Sequence, residues 1–279
     1  MEIELLQNQR QIIDVEDVIK NKNSRLIKIL PKFLINYIKK IICQDKINFS
    51  LTKHSKTEGF EFFDNILNDF GVKYSIIGGK NIPKSGKFIF VSNHPLGGID
   101  GIIFLSAISK FFKKIKFPVN DILLNIEKFK TIFLPINKHG KQSRQAVIDI
   151  NNAYNSDAQI LYFPAGLCSR KIKGKITDLK WQKNFIRQAI KNERDIIPVH
   201  IDGKNSNFFY NLSNLRKFLR IKTNIEMFFL PKEMFKQKSK RNILHIGKPI
   251  SYKLFLNQSK TLGQWTEYVR NKTYSLAKE

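Results

Sequence analysis

Apolar and polar residues follow two different patterns along the chain. Up to about residue 70, apolar clusters recur at helical spacing between lysines and arginines. From about residue 72, short runs rich in β-branched and aromatic residues alternate with longer segments of helical periodicity. Because such alternation is typical of βαβ units, the pattern predicts an α/β fold. We expect a mainly parallel central sheet flanked by helices, with an N-terminal helical appendage.

The predicted elements divide the chain into two regions. We assign residues 1–70 to an N-terminal helical region and residues 71–279 to an α/β domain. The predicted strands are 73–77, 87–92, 115–119, 131–136, 158–163, 195–201 and 242–247. The predicted helices of the α/β domain are 101–112, 141–155, 180–191, 207–219 and 261–277.

One helix of the N-terminal region separates apolar from basic residues. A basic amphipathic helix can lie in a membrane interface, and it can equally dock its apolar face on a protein core. The pattern leaves both alternatives open. The apolar face comprises Leu34, Ile35, Tyr37, Ile38, Ile41 and Ile42, with Lys39 and Lys40 on the opposite face.

The excess of basic over acidic residues indicates the charge of the binding partners. Lys and Arg number 49 against 23 acidic residues, so the formal net charge is +26. This excess favours a polyanionic partner: nucleic acid, an anionic membrane surface or an acidic carrier. Hydrophobic residues make up 42% of the chain, which excludes global disorder.

Cysteine usage and apolar runs indicate the compartment. Cys43 and Cys168 lie far apart without metal-ligand spacing, so we expect a reduced cytoplasmic protein without a metal site. No apolar run approaches the ~20 residues that span a bilayer. The first residues include acidic side chains and no long apolar segment, so no secretory signal is expected. If the protein meets a membrane, we expect it to lie peripherally on the inner face of the cytoplasmic membrane.

The stretch VSNHPLGGIDG, residues 91–101, carries the first candidate chemistry. His94 follows a predicted buried strand, and Asp100 lies near the start of a helix, where a carboxylate caps free N–H groups. Gly97 and Gly98 allow a tight loop between them. We therefore predict a His94–Asp100 pair at the carboxyl end of a strand, where open α/β sheets place their sites.

Three further strand ends carry polar or basic residues. In FPAGLCSRK, Pro164 and Gly166 turn the chain before Ser169, Arg170 and Lys171, a combination that could cradle a phosphate. FLPINK ends in Lys138, and IIPVHIDG ends in a glycine. Because these loops leave the same ends of successive strands, we expect them to converge on one face of the sheet.

The order of these four blocks resembles the glycerolipid (lysophospholipid) acyltransferase family, over roughly residues 72–250. The bacterial type of this family is the 1-acylglycerol-3-phosphate acyltransferase. More closely, the blocks look like the branch of hemolysin-like or ornithine/glycine-lipid O-acyltransferases. The resemblance implies a glycerolphosphate acyltransferase-like fold. It also implies acyl transfer from a thioester, acyl carrier protein or coenzyme A, to a lysolipid hydroxyl such as that of lysophosphatidate or a lyso-aminolipid. No other cofactor is implied.

By this resemblance His94 is the general base and Asp100 orients it, while the basic residue of the third block helps to bind phosphate. A neutral imidazole suits proton removal from an alcohol, and a carboxylate on its far nitrogen holds the tautomer. The predicted substrate-binding residues are Asn93, Gly97, Gly98, Lys138, Pro164, Gly166, Ser169, Arg170 and Lys171.

Two departures from the family pattern bear on the substrate. Five residues separate His94 from Asp100 where the family has four, and Gly97 and Gly98 can absorb the extra residue. The third block has Ala165 where the family usually has Glu before its glycine. Because that Glu is associated with acceptor binding, a lyso-aminolipid acceptor becomes more plausible than glycerol 3-phosphate.

Other functions stay open at this point. The net charge alone is compatible with a nucleic-acid-binding protein, although no zinc pattern, RNA-binding aromatic motif or helix-turn-helix is evident, so no specific nucleic acid is expected. The altered His94–Asp100 spacing is compatible with an inactive acyltransferase fold. Cys168 suggests an acyl-enzyme, but little around it would lower its pKa, so we expect a small loop residue.

Overall fold

The computed structural model describes residues 13–22, 29–120, 129–136 and 143–278. There the chain forms a central sheet with helices on both faces, which confirms the predicted α/β class. The strands are β1 Lys73–Ile77, β2 Phe88–Ser92, β3 Ile115–Asn120, β4 Phe133–Ile136, β5 Gln159–Tyr162, β6 Arg170–Ile172, β7 Lys175–Thr177, β8 Asp195–Ile201 and β9 Arg241–Ile246. The α-helices are α1 Val15–Lys22, α2 Lys32–Ile41, α3 Gln44–Lys53, α4 Glu61–Asp69, α5 Gly98–Ser109, α6 Arg144–Asn155, α7 Asn184–Lys191, α8 Asn207–Phe218, α9 Leu230–Phe235 and α10 Leu262–Ser275.

The strands of the main sheet are ordered β1-β9-β8-β2-β5-β3-β4. Neighbouring strands are parallel, apart from the antiparallel pair β8 and β9. β2 lies between β8 and β5, so the chain leaves β2 in the middle of the carboxyl edge of the sheet. Ligands of open α/β sheets bind at this edge.

β2 shows why the sheet is buried on both faces. Phe88 and Phe90 belong to one core cluster, Ile89 and Val91 to the other. Because successive strand side chains point to opposite faces, one apolar run supplies both clusters. The first cluster contains residues of α4 and α5, and the second contains residues of α6, α7 and α10.

α5, the helix that follows β2, is largely buried. Nine of its residues are buried, which agrees with the apolar residues that the sequence places around nearly all of its surface. It begins at Gly98, three residues before the predicted start. Its first turn therefore stands at the carboxyl edge of the sheet, directly after β2.

The seven strands predicted from the sequence are confirmed, with ends that agree within two residues. The five helices predicted for the α/β domain are also confirmed, with ends shifted by up to four residues. The pattern missed the antiparallel hairpin of β6 and β7, whose strands have three residues each. Its turn places Lys173 and Gly174 at φ of 48° and 80°, the two left-handed residues of a type I′ hairpin turn.

The apolar face of α2 is turned largely towards the protein. Ile35 and Ile41 of the predicted face are buried, so docking explains that side of the helix. Tyr37, which the sequence also assigns to this face, is exposed instead, as is Phe33 beside it on the helix. The helix therefore carries apolar residues on its outer surface as well.

The core continues across residue 70. α4 inserts four side chains into the cluster that also contains β2 and α5, so it belongs to the same packed unit. The division between 1–70 and 71–279 stays a prediction. No helix in the described ranges is long and apolar enough to cross a membrane. The α4 side chains in the cluster are Phe62, Phe63, Ile66 and Leu67.

Candidate active site

His94 and Asp100 form a hydrogen-bonded pair at the carboxyl edge of β2. His94 Nδ1 lies 3.0 Å from Asp100 Oδ2, across the five intervening residues. The same carboxylate oxygen accepts the backbone N–H groups of Leu96 at 2.7 Å and Gly97 at 3.0 Å. Asp100 is fully buried, whereas the His94 side chain is 16% exposed. One carboxylate therefore organises both the loop and the imidazole.

The two loop glycines have different structural roles. Gly97 has φ of 87°, and a Cβ at this position would lie 2.9 Å from the side chain of Leu230. Left-handed backbone and close packing both require glycine here. Gly98 begins α5, is exposed, and a Cβ there would meet no atom within 4 Å.

The His94 ring is held on its face as well as at its edge. It stacks on Phe163, with ring centroids 4.0 Å apart and an interplanar angle of 15°. With Nδ1 directed at Asp100, Nε2 is left to act as proton acceptor, and no protein group in the described residues bonds to it. Burial raises the pKa of the Asp100 carboxyl, while hydrogen bonds from His94, Leu96 and Gly97 act in the opposite direction.

Asp178 connects the His94 loop to the third block. Its Oδ1 accepts the backbone N–H of His94 at 3.2 Å and the hydroxyl of Ser169 at 2.5 Å. Its Oδ2 accepts Trp181 Nε1–H at 2.9 Å. Ser169 in turn donates its backbone N–H to the carbonyl of His94 at 2.7 Å. No sequence pattern indicated Asp178, because this residue directly follows the unpredicted hairpin.

Asn93 links β2 to the fourth block. Its side chain accepts the N–H of Ile201 at 2.7 Å and donates to the carbonyl of Ile201 at 2.9 Å. Nearby, Asn205 donates its side-chain amide to the carbonyl of Pro95 at 3.3 Å. Asn93 is buried, so its amide connects strands and faces the interior. The first, third and fourth blocks thus converge, as expected.

Arg170 lies in the protein interior, not at the solvent-facing phosphate cradle that the sequence indicates. It is 1% exposed and pairs with Glu226 at 2.8 Å. It also donates to the carbonyl of Cys168 at 2.6 Å and lies over the ring of Phe209. Arg216 Nε approaches the other oxygen of Glu226 at 2.8 Å. The guanidinium is buried because a buried carboxylate and a carbonyl, rather than solvent, surround it.

The remaining predicted substrate-binding residues differ in accessibility. Pro164 is buried, and its carbonyl accepts Gln182 N–H at 2.9 Å. Gly166 has φ of 67° and donates its N–H to the carbonyl of Phe163 at 3.0 Å. Ser169 is buried with Asp178, and Lys171 is half-buried on β6. Lys138 lies outside the described residues.

Other chemically active side chains near the site have structural partners. Cys168 is buried, and burial raises the pKa of its thiol to about 11, which disfavours a thiolate nucleophile. His200 and His245 both pair with Asp202, at 3.2 and 3.0 Å. Burial lowers the pKa of His200. The described part of the chain contains no group of three or more potential ligands that could hold a metal ion.

A cavity of about 640 Å³ lies at the opposite, amino edge of the sheet. Its lining includes Lys116 near the start of β3 and Phe133 at the start of β4. Neither His94 nor Asp100 contributes to it. We therefore locate the candidate site by its converging polar groups, not by the size of this cavity.

Comparison with known proteins identifies the class. A model of the acyltransferase family matches residues 17–279, and the chain belongs to this family. It is therefore an acyltransferase, which confirms the family that the four sequence blocks predicted.

Two bacterial relatives are similar over nearly their whole length. A lyso-glycine lipid O-acyltransferase of Bacteroides thetaiotaomicron is 42% identical over 266 residues, covering 95% of this chain and 97% of the relative. A protein of the same name from Phocaeicola vulgatus is 40% identical over 266 residues, with 95% of each chain covered. Among solved structures, the 1-acyl-sn-glycerophosphate acyltransferase PlsC of Thermotoga maritima has a TM-score of 0.43 and 18% identity, covering 88% of this chain and 92% of its own.

Proposed function

We propose that the chain transfers a fatty acyl group from a thioester to the hydroxyl of a lysolipid, and that its acceptor is a lyso-glycine lipid. Two relatives that are 40–42% identical carry that acceptor in their names. The observation that carries the proposal is the 3.0 Å contact between His94 and buried Asp100 at the carboxyl edge of the sheet. Ala165, in place of the usual family Glu, agrees with an acceptor other than glycerol 3-phosphate.

In the proposed mechanism, His94 Nε2 accepts the proton of the acceptor hydroxyl as its oxygen attacks the thioester carbonyl. Asp100 accepts a hydrogen bond from Nδ1–H and stabilises the imidazolium that forms. The tetrahedral intermediate collapses to the ester and expels the thiolate, which takes the proton back from His94. No enzyme nucleophile is required, in agreement with the buried, poorly ionised thiol of Cys168.

The backbone amide of Gly98 is our candidate for stabilising the oxyanion. The amides of Gly97 and Gly166 already donate to Asp100 and to the carbonyl of Phe163. Gly98 is exposed at the start of α5, where helix N–H groups lack intrahelical partners. Within the described residues no acceptor is bonded to its N–H.

The positive net charge of the chain favours anionic substrates and an anionic membrane. The net charge of +26 favours an acidic acyl carrier protein or coenzyme A as donor, and an anionic membrane as the source of lysolipid. Of the basic residues predicted in the third block, Lys171 is the more accessible head-group contact. Arg170 acts through Glu226 to hold the loop. We place the enzyme peripherally on the inner face of the cytoplasmic membrane.

The proposal is tested by an acyl-transfer assay with purified protein. Labelled acyl carrier protein and acyl-coenzyme A are each offered with lyso-glycine lipid and with lysophosphatidate. We expect transfer to lyso-glycine lipid, and we expect His94→Ala to lower kcat by about 10²- to 10⁴-fold.

A matched control is His54→Ala, which removes a different histidine–carboxylate pair, with His54 Nε2 2.9 Å from Asp69. It should leave kcat unchanged. Persistent transfer in His94→Ala would exclude His94 as the base. Absence of transfer to either acceptor with either donor would favour the inactive fold.

A further inference from the structure

α8 carries apolar residues on two faces, although only one of them packs on the protein. Its inner face includes Phe209 and Tyr210, which are buried beside Cys168. Its outer face has no covering element in the described residues. We define the α8 surface as the exposed apolar side chains of this outer face and of the segment that follows it: Phe208, Leu215, Phe218, Leu219 and Phe228.

The exposure of this surface is unusual for a protein in water. Phe218 is 83% exposed, and the other four side chains are each about half exposed. Leu215, Phe218 and Leu219 are three and four residues apart, so they are neighbours on one side of the helix. Phe208 reaches the ring of Phe229 at 5.1 Å, which connects the helix to the segment Ile225–Phe229. Contiguous exposed apolar side chains mark interaction sites, whereas scattered ones need no explanation.

The exposed charges on the chain segment that forms most of the α8 surface are all positive. Between Asp202 and Glu226 the chain contains no acidic residue. Glu226 itself is buried between two arginines. The exposed basic side chains of this stretch are Lys204, Lys217, Arg220 and Lys222.

A second exposed apolar stripe adjoins the first. α2 packs against the segment Ile225–Phe229, and its outward residues Phe33 and Tyr37 are exposed. Lys32 and Lys40 flank them on the same helix. The basic and apolar character therefore extends from α8 across to α2.

We propose that the α8 surface is a docking surface for an anionic phospholipid bilayer, in which the apolar side chains enter the interface and the basic side chains meet lipid phosphates. The apolar residues match the acyl-chain region of such a membrane, and the lysines and arginines around them match its anionic head groups. An acidic protein would satisfy the charges, but the near-complete exposure of Phe218 fits a bilayer interior better than a polar protein surface.

The position of the α8 surface connects it to the candidate active site. Leu230, which follows the segment Ile225–Phe229, packs against Gly97 in the dyad loop. Glu226 of that segment holds Arg170 of the third block. Docking through α8 therefore brings the dyad close to the bilayer. This consequence rests on the proposed function, because it assumes that the acceptor is a membrane lipid, whereas the docking itself does not.

The test is flotation of the full chain with vesicles of phosphatidylcholine, with or without phosphatidylglycerol. We expect binding only with phosphatidylglycerol and weakening of that binding as salt is raised. Phe218→Ser combined with Leu219→Ser should lower the vesicle partition coefficient by about tenfold or more. The matched control is Leu254→Ser with Leu256→Ser, two exposed leucines on the segment Tyr252–Leu256, and it should bind like the wild type.

Unchanged flotation of the α8 variant would overturn the proposal. In that case, loss of flotation in a Phe33→Ser, Tyr37→Ser variant would assign membrane docking to α2. Loss of acyl carrier protein binding or RNA binding by the α8 variant would instead assign the α8 surface to that partner. Melting temperatures verify that each variant folds. Flotation needs no catalysis, so its result is independent of whether acyl transfer is observed. If transfer is observed, the KM for vesicle-borne acceptor should rise about tenfold in the α8 variant.

Discussion

Gly97 and Gly98 are adjacent in the sequence but meet different demands in the structure. Gly97 combines a left-handed backbone with a position against Leu230, so a side chain there is strained and crowded. Gly98 has open space around its Cα, in a helix's first turn. The geometry of the His94–Asp100 pair therefore depends on one of the two glycines more than on the other.

We predict that Gly97→Ala lowers the free energy of unfolding by about 1–3 kcal/mol, because the left-handed backbone and the contact with Leu230 are both disturbed. Gly98→Ala should change it by less than about 0.5 kcal/mol. Urea denaturation of both variants measures the difference. Equal destabilisation by the two substitutions would contradict this assignment.

Asp178 is the buried carboxylate that joins the His94 loop to Ser169. We predict that Asp178→Asn lowers kcat by about 10- to 100-fold with little change in KM, because His94 shifts by a fraction of an ångström while the substrate surface remains. Steady-state kinetics separate the two constants.

The control for Asp178 is Asp157→Asn, which removes an exposed carboxylate paired with Lys114 at 2.8 Å. It should leave kcat and KM unchanged. If Asp178→Asn lowers only the melting temperature and the folded enzyme keeps its kcat, the residue supports the fold and does not position His94.

At the scale of elements, the N-terminal helices are joined by a small network of charges. Asp69 at the end of α4 accepts hydrogen bonds from Lys53 at 2.6 Å, His54 at 2.9 Å and Ser50 at 3.2 Å. All three donors belong to the end of α3 or directly follow it. Burial by itself would raise the pKa of the Asp69 carboxyl, but the bonds from Lys53 and His54 outweigh it and hold the pKa below 3.8.

A lowered carboxyl pKa makes the stability of this junction depend on pH in one direction. Because the folded state holds the proton less tightly than the unfolded state, the stabilisation is present above pH 3.8 and is lost as the pH falls through the folded value. We predict that Asp69→Asn costs about 1 kcal/mol at neutral pH and almost nothing in strong acid. Urea denaturation at both pH values tests this, and a cost that is equal at both would refute it.

At the scale of the whole molecule, a buried ion cluster joins the third block to the α8 region. Glu226 lies between Arg170 and Arg216, and its side chain is fully buried. Arg170 at the start of β6 and Arg216 of α8 are far apart in sequence, so their shared carboxylate ties the candidate active site to the proposed membrane-docking face. Removing one partner of a buried pair leaves the others without a counter-charge.

We predict that Glu226→Gln lowers the free energy of unfolding by about 3–5 kcal/mol, because two buried guanidinium groups lose their carboxylate. Glu16→Gln, which breaks the exposed pair with Lys39, should cost less than about 1 kcal/mol. Thermal and urea unfolding measure both. A small effect of Glu226→Gln would mean that water reaches the arginines.

Local sequence patterns were sufficient to predict the main strands, the His94–Asp100 pair and the family. The seven strands of the main sheet were predictable because continuous β-branched and aromatic runs, such as that of β2, occur where a strand is covered on both faces. The His94–Asp100 pair was predictable because a strand end, two glycines and a helix start leave little room for any other arrangement. The family was predictable from the order of four short blocks.

The roles of Asp178 and Arg170 and the exposed face of α8 depend on the tertiary structure, because contacts between residues distant in sequence leave no local pattern. Asp178 reaches His94 across 84 positions, through a hairpin too short to show a clear period. In the sequence of a basic chain, Arg170 cannot be distinguished from a surface charge. Only the fold buries it against Glu226, which lies 56 positions away. The exposed apolar face of α8 was also unpredictable. The sequence of a helix with two apolar faces does not show which of them packs on the core and which stays exposed.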